Sequence, residues 1–192
     1  VMEVDEQNII FIKDVCDLKE EEDLERLAKM MVDNLHSEAM VRVRVGYGNR
    51  AKDLQDIAKA YQEALMAIEV GKVFYAGKEV VSYSRLGIGR LIYQIPMSLC
   101  EMFIREVFGD EMPDVFSDEN VLTIQSFFEN NLNISETARQ LFVHRNTLVY
   151  RLERLEKAIG LDIRKFEDAM LFKIAMMVLS HMAYQRGETQ KI

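Results

Sequence analysis

Between Ser135 and Lys157 the chain reads SETARQLFVHRNTLVYRLERLEK. The side chains there that can do chemistry are hydrogen-bonding and cationic, with no nucleophile or metal ligand set among them. Arg bonds bidentately to guanine, Asn to adenine, Thr touches the thymine methyl, and Tyr and further Arg reach phosphates. At about 100° per residue, Asn146, Thr147, Tyr150, Arg154 and Lys157 cluster opposite Leu148, Leu152, Leu155 and Ile159, with Arg145 and Arg151 on the flanks. A helix in a major groove reads bases mainly with its N-terminal residues, and this one begins Arg145-Asn146-Thr147. The chemistry these residues point to is recognition of double-stranded DNA. The plain alternative is an amphipathic helix whose solvent face carries Arg and Glu.

Two helices must position this face. Ser135 is expected to cap the first, with Ala138 and Leu141 falling on one side of it at i and i+3. Ala138 is small where a second helix has to come close. Phe142-Val143-His144 makes a turn too short for the helices to separate, and it lacks the glycine common in helix-turn-helix units. The second helix is expected over about 144–159, stopped by Gly160.

From Ile134 to Asp162, the run ISETARQLFVHRNTLVYRLERLEKAIGLD resembles the C-terminal helix-turn-helix of PucR/CdaR-type bacterial transcriptional regulators. HRNTL-YRL-R-E is its most specific part. The resemblance implies a Fis-like helix-turn-helix that binds DNA through Arg145, Asn146, Thr147, Tyr150, Arg151 and Arg154.

Composition sets the outer bounds. The 192 residues allow one sizeable domain or two small ones, and 49% apolar with 29% charged fits a globular chain. The longest apolar run, near Ile174 to Leu179, is too short to cross a bilayer, and no signal peptide is read at the start, so a cytoplasmic location is expected. Cys16 and Cys100, without CxxC spacing, argue against a disulfide framework or zinc site, and His36, His144 and His181 are far apart. A net charge of −8 looks wrong for a DNA binder. It is unevenly held: residues 1–118 carry 14 Lys+Arg against 23 Asp+Glu, whereas 119–192 carry 10 against 9. The acidic part should avoid DNA and the hairpin concentrates the basic face.

Earlier in the chain, Met2-Glu3-Val4 and Ile9 to Ile12 read as strands around the turn Asp5 to Asn8. A helix follows over Leu18 to Asn34, with Leu24, Leu27, Met31 and Leu35 at helical spacing and carboxylates at its start. Val41 to Val45 alternates as a half-buried strand closed by Gly46. Asp53 to Val70 forms a helix with Leu54, Ile57, Ala58, Tyr61, Leu65 and Ile68 on one side, ending at Gly71, and Val80 to Tyr83 is a last strand. This order, with VRVRVGYGNRAKDLQDIAKAYQEALMAIEVGK, is similar to the second half of a GGDEF-like domain, which PucR/CdaR regulators carry before the helix-turn-helix. The hairpin reads EVDEQN, without the paired glycines of a cyclase, and metal-binding carboxylates would belong to a strand preceding Val1.

Leu86 to Phe116 holds two short helical patterns divided by Pro96, too apolar for a free linker. Asp118 and Glu119 begin a helix at Val121 to Asn131 that should support the hairpin through Leu122, Ile124, Phe127 and Phe128, and Phe166 to Tyr184 is apolar nearly all round. Glu20 to Asp23 reads as a solvated helix start. No GxGxxG, Walker A loop or GxSxG elbow occurs, so no catalytic, cofactor or metal residue is assigned.

The resulting expectation is an α+β GGDEF-like domain at 1–84, a helical connector at 85–118 and an all-α helix-turn-helix domain at 119–192. The function expected is a DNA-binding regulator that is no enzyme, forms homodimers through the connector and last helix, and answers a small-molecule effector sensed outside this chain. The alternatives are a cyclase-like remnant that binds nucleotide and a protein-interaction module. The absent glycines oppose the first, and the array of Arg, Asn and Tyr on one face opposes the second.

Overall fold

In the computed structural model, residues 2–3, 8–18, 21–110 and 117–188 are described. The loop at 4–7 and the stretch containing Pro113 lie outside them. The chain divides into two compact units, Val1–Gly87 and Ile88–Ile192.

The first unit holds two small sheets. Strands β1 (Met2–Glu3) and β2 (Ile9–Ile10) pair antiparallel, Met2 opposite Ile10, as the hairpin pattern predicts. Helix α1 (Glu21–Ala39) follows, burying Ala28 and Val32 while Leu35 stays exposed. Strands β3 (Val45–Tyr47) and β4 (Val80–Ser82) pair parallel through a crossover by helix α2 (Ile57–Phe74). The strand expected at Val41 to Val45 is thus displaced: pairing begins at Val45 and runs through Gly46. Close approach of α2 is the reason. A Cβ on Gly46 would stand 2.5 Å from Ile68 Cγ1 and 2.7 Å from the Ala64 carbonyl oxygen, so only glycine lets the strand lie there.

Gly71 likewise does not end α2. It sits inside the helix, where an added Cβ would be 2.9 Å from Val81 Cγ2, and the helix runs on to Phe74. The buried stripe is Glu63, Ala67, Val70 and Val73; Leu54 lies in a short 3-10 turn before the helix and is exposed, as is Ala58. Glu63 is tolerated inside because its carboxylate accepts from the Asn49 N–H at 2.8 Å. The acidic start of α1 is not merely solvated. Glu21 accepts from Ser82 at 2.9 Å and also from Ser84, and Glu25 pairs with Arg85 at 2.6 Å, which ties α1 to the end of β4. These serine bonds, with Arg85 adding to them, hold the Glu21 carboxyl below the usual range.

Among its described residues, the second unit is all helical. Pro96 separates α3 (Ile88–Tyr93) from α4 (Met97–Phe108), as the punctuation predicts. Helix α5 (Asp118–Glu129) begins at Asp118 as expected, where Ser117 caps it, accepting from the Asn120 N–H. Helices α6 (Ile134–Gln140), α7 (Arg145–Ile159) and α8 (Phe166–Gln185) complete it. One core joins Ile124 and Phe127 of α5, Ala138 of α6, Leu148, Leu152, Leu155 and Ile159 of α7, and Ala169 and Phe172 of α8. Phe108 meets Phe172 edge-on, ring centroids 6.1 Å apart. Farther along, α8 packs on α3 and α4, where His181 is buried 5.4 Å from the Tyr93 ring. The all-round apolarity of α8 is largely absorbed within this unit: the core takes one side and the helices expected of the connector take another. Ile88, Leu91, Leu99 and Met102 on α3 and α4 stay exposed, as do Phe166 and Met170 near the start of α8.

Candidate nucleic-acid interface

The hairpin is built from α6 and α7. Asn133, not Ser135, caps α6: its side chain accepts from the Ser135 N–H at 3.0 Å and the Glu136 N–H at 3.2 Å. Both residues are good caps, and Ser135 falls two residues past the capping position, inside the helix. Its hydroxyl takes another task, accepting from the Arg145 guanidinium at 3.3 Å and so linking the two helices. Ala138 is buried at the crossing as its size predicts.

The turn works without glycine because Phe142 takes the left-handed backbone conformation itself, at φ 54°. The Phe142 N–H donates to the Arg139 carbonyl at 3.2 Å and the Val143 N–H to the Ala138 carbonyl at 3.0 Å. Those two bonds satisfy the last carbonyls of α6 in the 6→1 and 5→2 pattern usually built on glycine. The Phe142 ring is left 96% exposed. His144 then caps α7, its Nδ1 accepting from the Asn146 N–H at 3.2 Å. Sequence reading placed His144 in the turn and missed this role; the imidazole acceptor two residues before a backbone N–H was its only signal.

From that cap the helical period does the sorting. Leu148, Leu152, Leu155 and Ile159 are buried, whereas Arg145, Asn146, Thr147, Tyr150 and Arg154 are exposed on the other side. Arg151 departs from the group. It is half-buried and its guanidinium pairs with Glu119 of α5 at 2.6 Å. The structure thus gathers five of the six expected residues on one open face and turns the sixth toward α5. Among the described residues, Arg154 and Lys157 have no ion-pair partner. Beyond the helix, Gly160 at φ 80° ends α7, and Arg164 gathers Glu156 at 2.5 Å and Asp162 at 2.6 Å. Arg164 holds the Asp162 carboxyl below its ordinary value. This clamp fixes where α8 departs and was not visible in the sequence.

Residues 121–178 match the PucR C-terminal helix-turn-helix domain, and residues 1–70 match the GGDEF-like domain. The chain thus carries the two domains these models describe, and the proteins it resembles are regulators of PucR/CdaR type. Similar proteins of this type include the purine catabolism regulatory protein of Bacillus subtilis (strain 168), 28% identical over 70% of this chain and 25% of that protein. The carbohydrate diacid regulator of Escherichia coli (strain K12) is 26% identical over 82% of this chain and 41% of its own length. The proline-responsive transcriptional activator PutR of Bacillus subtilis is 26% identical over 71% and 34%. The chain therefore spans between a quarter and two-fifths of these PucR/CdaR relatives. A regulator of polyketide synthase expression from Bifidobacterium adolescentis aligns with a TM-score of 0.35 and 23% identity over 66% of this chain and 50% of that one, too loosely to define a shared arrangement. The α+β first unit and the helical second unit agree with the two PucR/CdaR domain matches.

Proposed function

We propose that this chain is the part of a transcriptional regulator that binds DNA, with α7 lying in the major groove. The observation that carries this reading is the face of α7: Arg145, Asn146, Thr147, Tyr150 and Arg154 exposed together, opposite a fully buried leucine stripe. Asn146 and Thr147 are in the first turn and meet base edges, with Arg145 beside them; Tyr150 and Arg154 lie farther along and meet phosphates. Arg151 acts through Glu119, holding α7 against α5, instead of touching DNA. The reading includes a homodimer that joins through Leu91, Leu99 and Met102, which α3 and α4 leave exposed, with α8 behind them. Two copies present two α7 helices, so the operator has inverted half-sites about 34 Å apart or a multiple of it. An effector sensed by other parts of the full regulator, a cytoplasmic location and the lack of enzymatic turnover belong to the same proposal.

Titration of the chain against a duplex selected from a random pool, and against its scrambled counterpart, tests it. Asn146→Ala should cost about 1–3 kcal/mol on the selected duplex and nearly nothing on the scrambled one. Arg154→Ala should weaken both alike and lower the salt slope by about one. Equal losses on both duplexes for Asn146→Ala would show that this face does not read sequence. Light scattering at tens of micromolar should exceed the 22.3 kDa of one chain.

A further inference from the structure

We infer that His144 reads a purine in the major groove, as a direct base contact made by the residue that caps the recognition helix. The inference rests on the DNA reading above. His144 is exposed at the leading end of α7, immediately before Arg145, Asn146 and Thr147. Its Nδ1 is committed inward, accepting from the Asn146 N–H at 3.2 Å. An acceptor carries no proton, so the neutral ring bears its hydrogen on Nε2. The same bond fixes the ring orientation. Nδ1 faces the helix axis and the Nε2–H points away from it, and no partner for that donor is found among the described residues. A side chain usually loses rotamer freedom when it makes a contact in a groove; here the cap has already removed that freedom.

The direction of the remaining hydrogen determines what can be read. A donor needs an acceptor: cytosine offers only its amino donor at the major-groove edge, and thymine's O4 stands beside the C5-methyl group, which a donor carried on a ring has to clear. Adenine presents N7, and guanine presents N7 with O6 next to it, so a donor aimed at the purine N7 position selects purines and favours guanine. His144 therefore adds one position of readout at the edge of the triplet occupied by Arg145, Asn146 and Thr147.

The experiment uses the whole 192-residue chain and a duplex selected from a random pool, in which each purine is replaced in turn by its 7-deaza analogue. That analogue keeps Watson–Crick pairing and removes only N7. His144→Ser retains a cap oxygen and replaces the far-reaching imidazole donor by a hydroxyl held close to the backbone, so its melting temperature should stay within a few degrees of the parent. His144→Asp serves the same purpose if the serine variant folds poorly. Parent and variants should both lose affinity at any purine whose N7 Arg145 or Asn146 contacts, whereas at one further purine in each half-site parent binding should fall about three- to tenfold, the size of one lost hydrogen bond, and the variants should be indifferent. Losses shared equally by parent and variants at every affected purine would overturn the inference, because other residues would be making all of the N7 contacts. So would a parent indifferent to every replacement. A parent that does not distinguish the selected duplex from its scrambled form would instead defeat the DNA reading, a separate outcome seen before any analogue is used.

Discussion

The two units solve the burial problem differently. In Ile88–Ile192, large side chains from α5, α7 and α8 close on one another, so that Phe127, Leu148, Leu152, Leu155 and Phe172 lose almost all contact with water. In Val1–Gly87 the buried apolar residues are small, namely Ala28, Val32, Ala67, Val70, Val73 and Val81, with Leu86 the largest, and backbone comes close at Gly46 and Gly71. Ile9, Ile12, Met30 and Leu54 remain in water there. Stability in the second unit comes from apolar volume and in the first from close approach, so the two should fail under different substitutions.

The strongest test of that contrast is Phe172→Ala. Emptying the centre of the second unit should cost about 3–5 kcal/mol, seen as a lower urea midpoint, with DNA binding lost at temperatures where the parent still binds. A cost under about 1 kcal/mol would mean that α8 is not central to this core. In the first unit the damaging change goes the other way. Gly46→Ala adds one methyl against Ile68 and the Ala64 carbonyl and should destabilise by about 1–3 kcal/mol, while affinity for the selected duplex stays unchanged. If DNA affinity fell with it, the separation of tasks between the units would be refuted.

A smaller effect of opposite sign is expected at the turn. Phe142 holds a left-handed backbone while its ring is 96% exposed. Phe142→Gly should raise stability by about 0.5–1 kcal/mol, because relieving that conformation outweighs the added freedom of the unfolded glycine. Differential scanning calorimetry would show it, and a lower melting temperature would mean that the ring packs in solution. The smallest effect concerns acid. Arg164 keeps the folded Asp162 carboxyl below its unfolded value, so the unfolded chain binds that proton first as pH falls. The stabilisation is complete above the ordinary aspartate range, near about 4, and is lost as pH falls through the folded value. Asp162→Asn should therefore lower the stability of the second unit modestly at neutral pH and flatten the acid end of its stability curve, the two proteins converging where the parent has lost the same stabilisation.

Legibility followed the length of the pattern. Helix α7 could be read because its four buried positions and its polar start repeat over several turns, and nothing but a helix satisfies that spacing. The pairing of β1 with β2 could be read because it is local. The strand at Val41 to Val45 could not, because alternation over five residues says nothing about which part finds a partner; contact with Ala64 and Ile68, some twenty residues away, selected Val45 to Tyr47 instead. Gly71 misled for a related reason. A glycine near a helix end and one under a crossing strand look alike until Val81 is in place.

At the interface the sequence by itself determined the composition of the α7 face and its opposition to the leucines, because both follow from the helical period. Tertiary structure alone decided how each polar group on it is spent. Arg151 and Arg154 are the same residue type three positions apart, yet Glu119 on α5 lies within reach of only the first. Ser135 and Asn133 are equally able caps, and Arg145 from the next helix engages the first. Those choices depend on where a second helix lies in space, which is information that no periodicity within one helix contains.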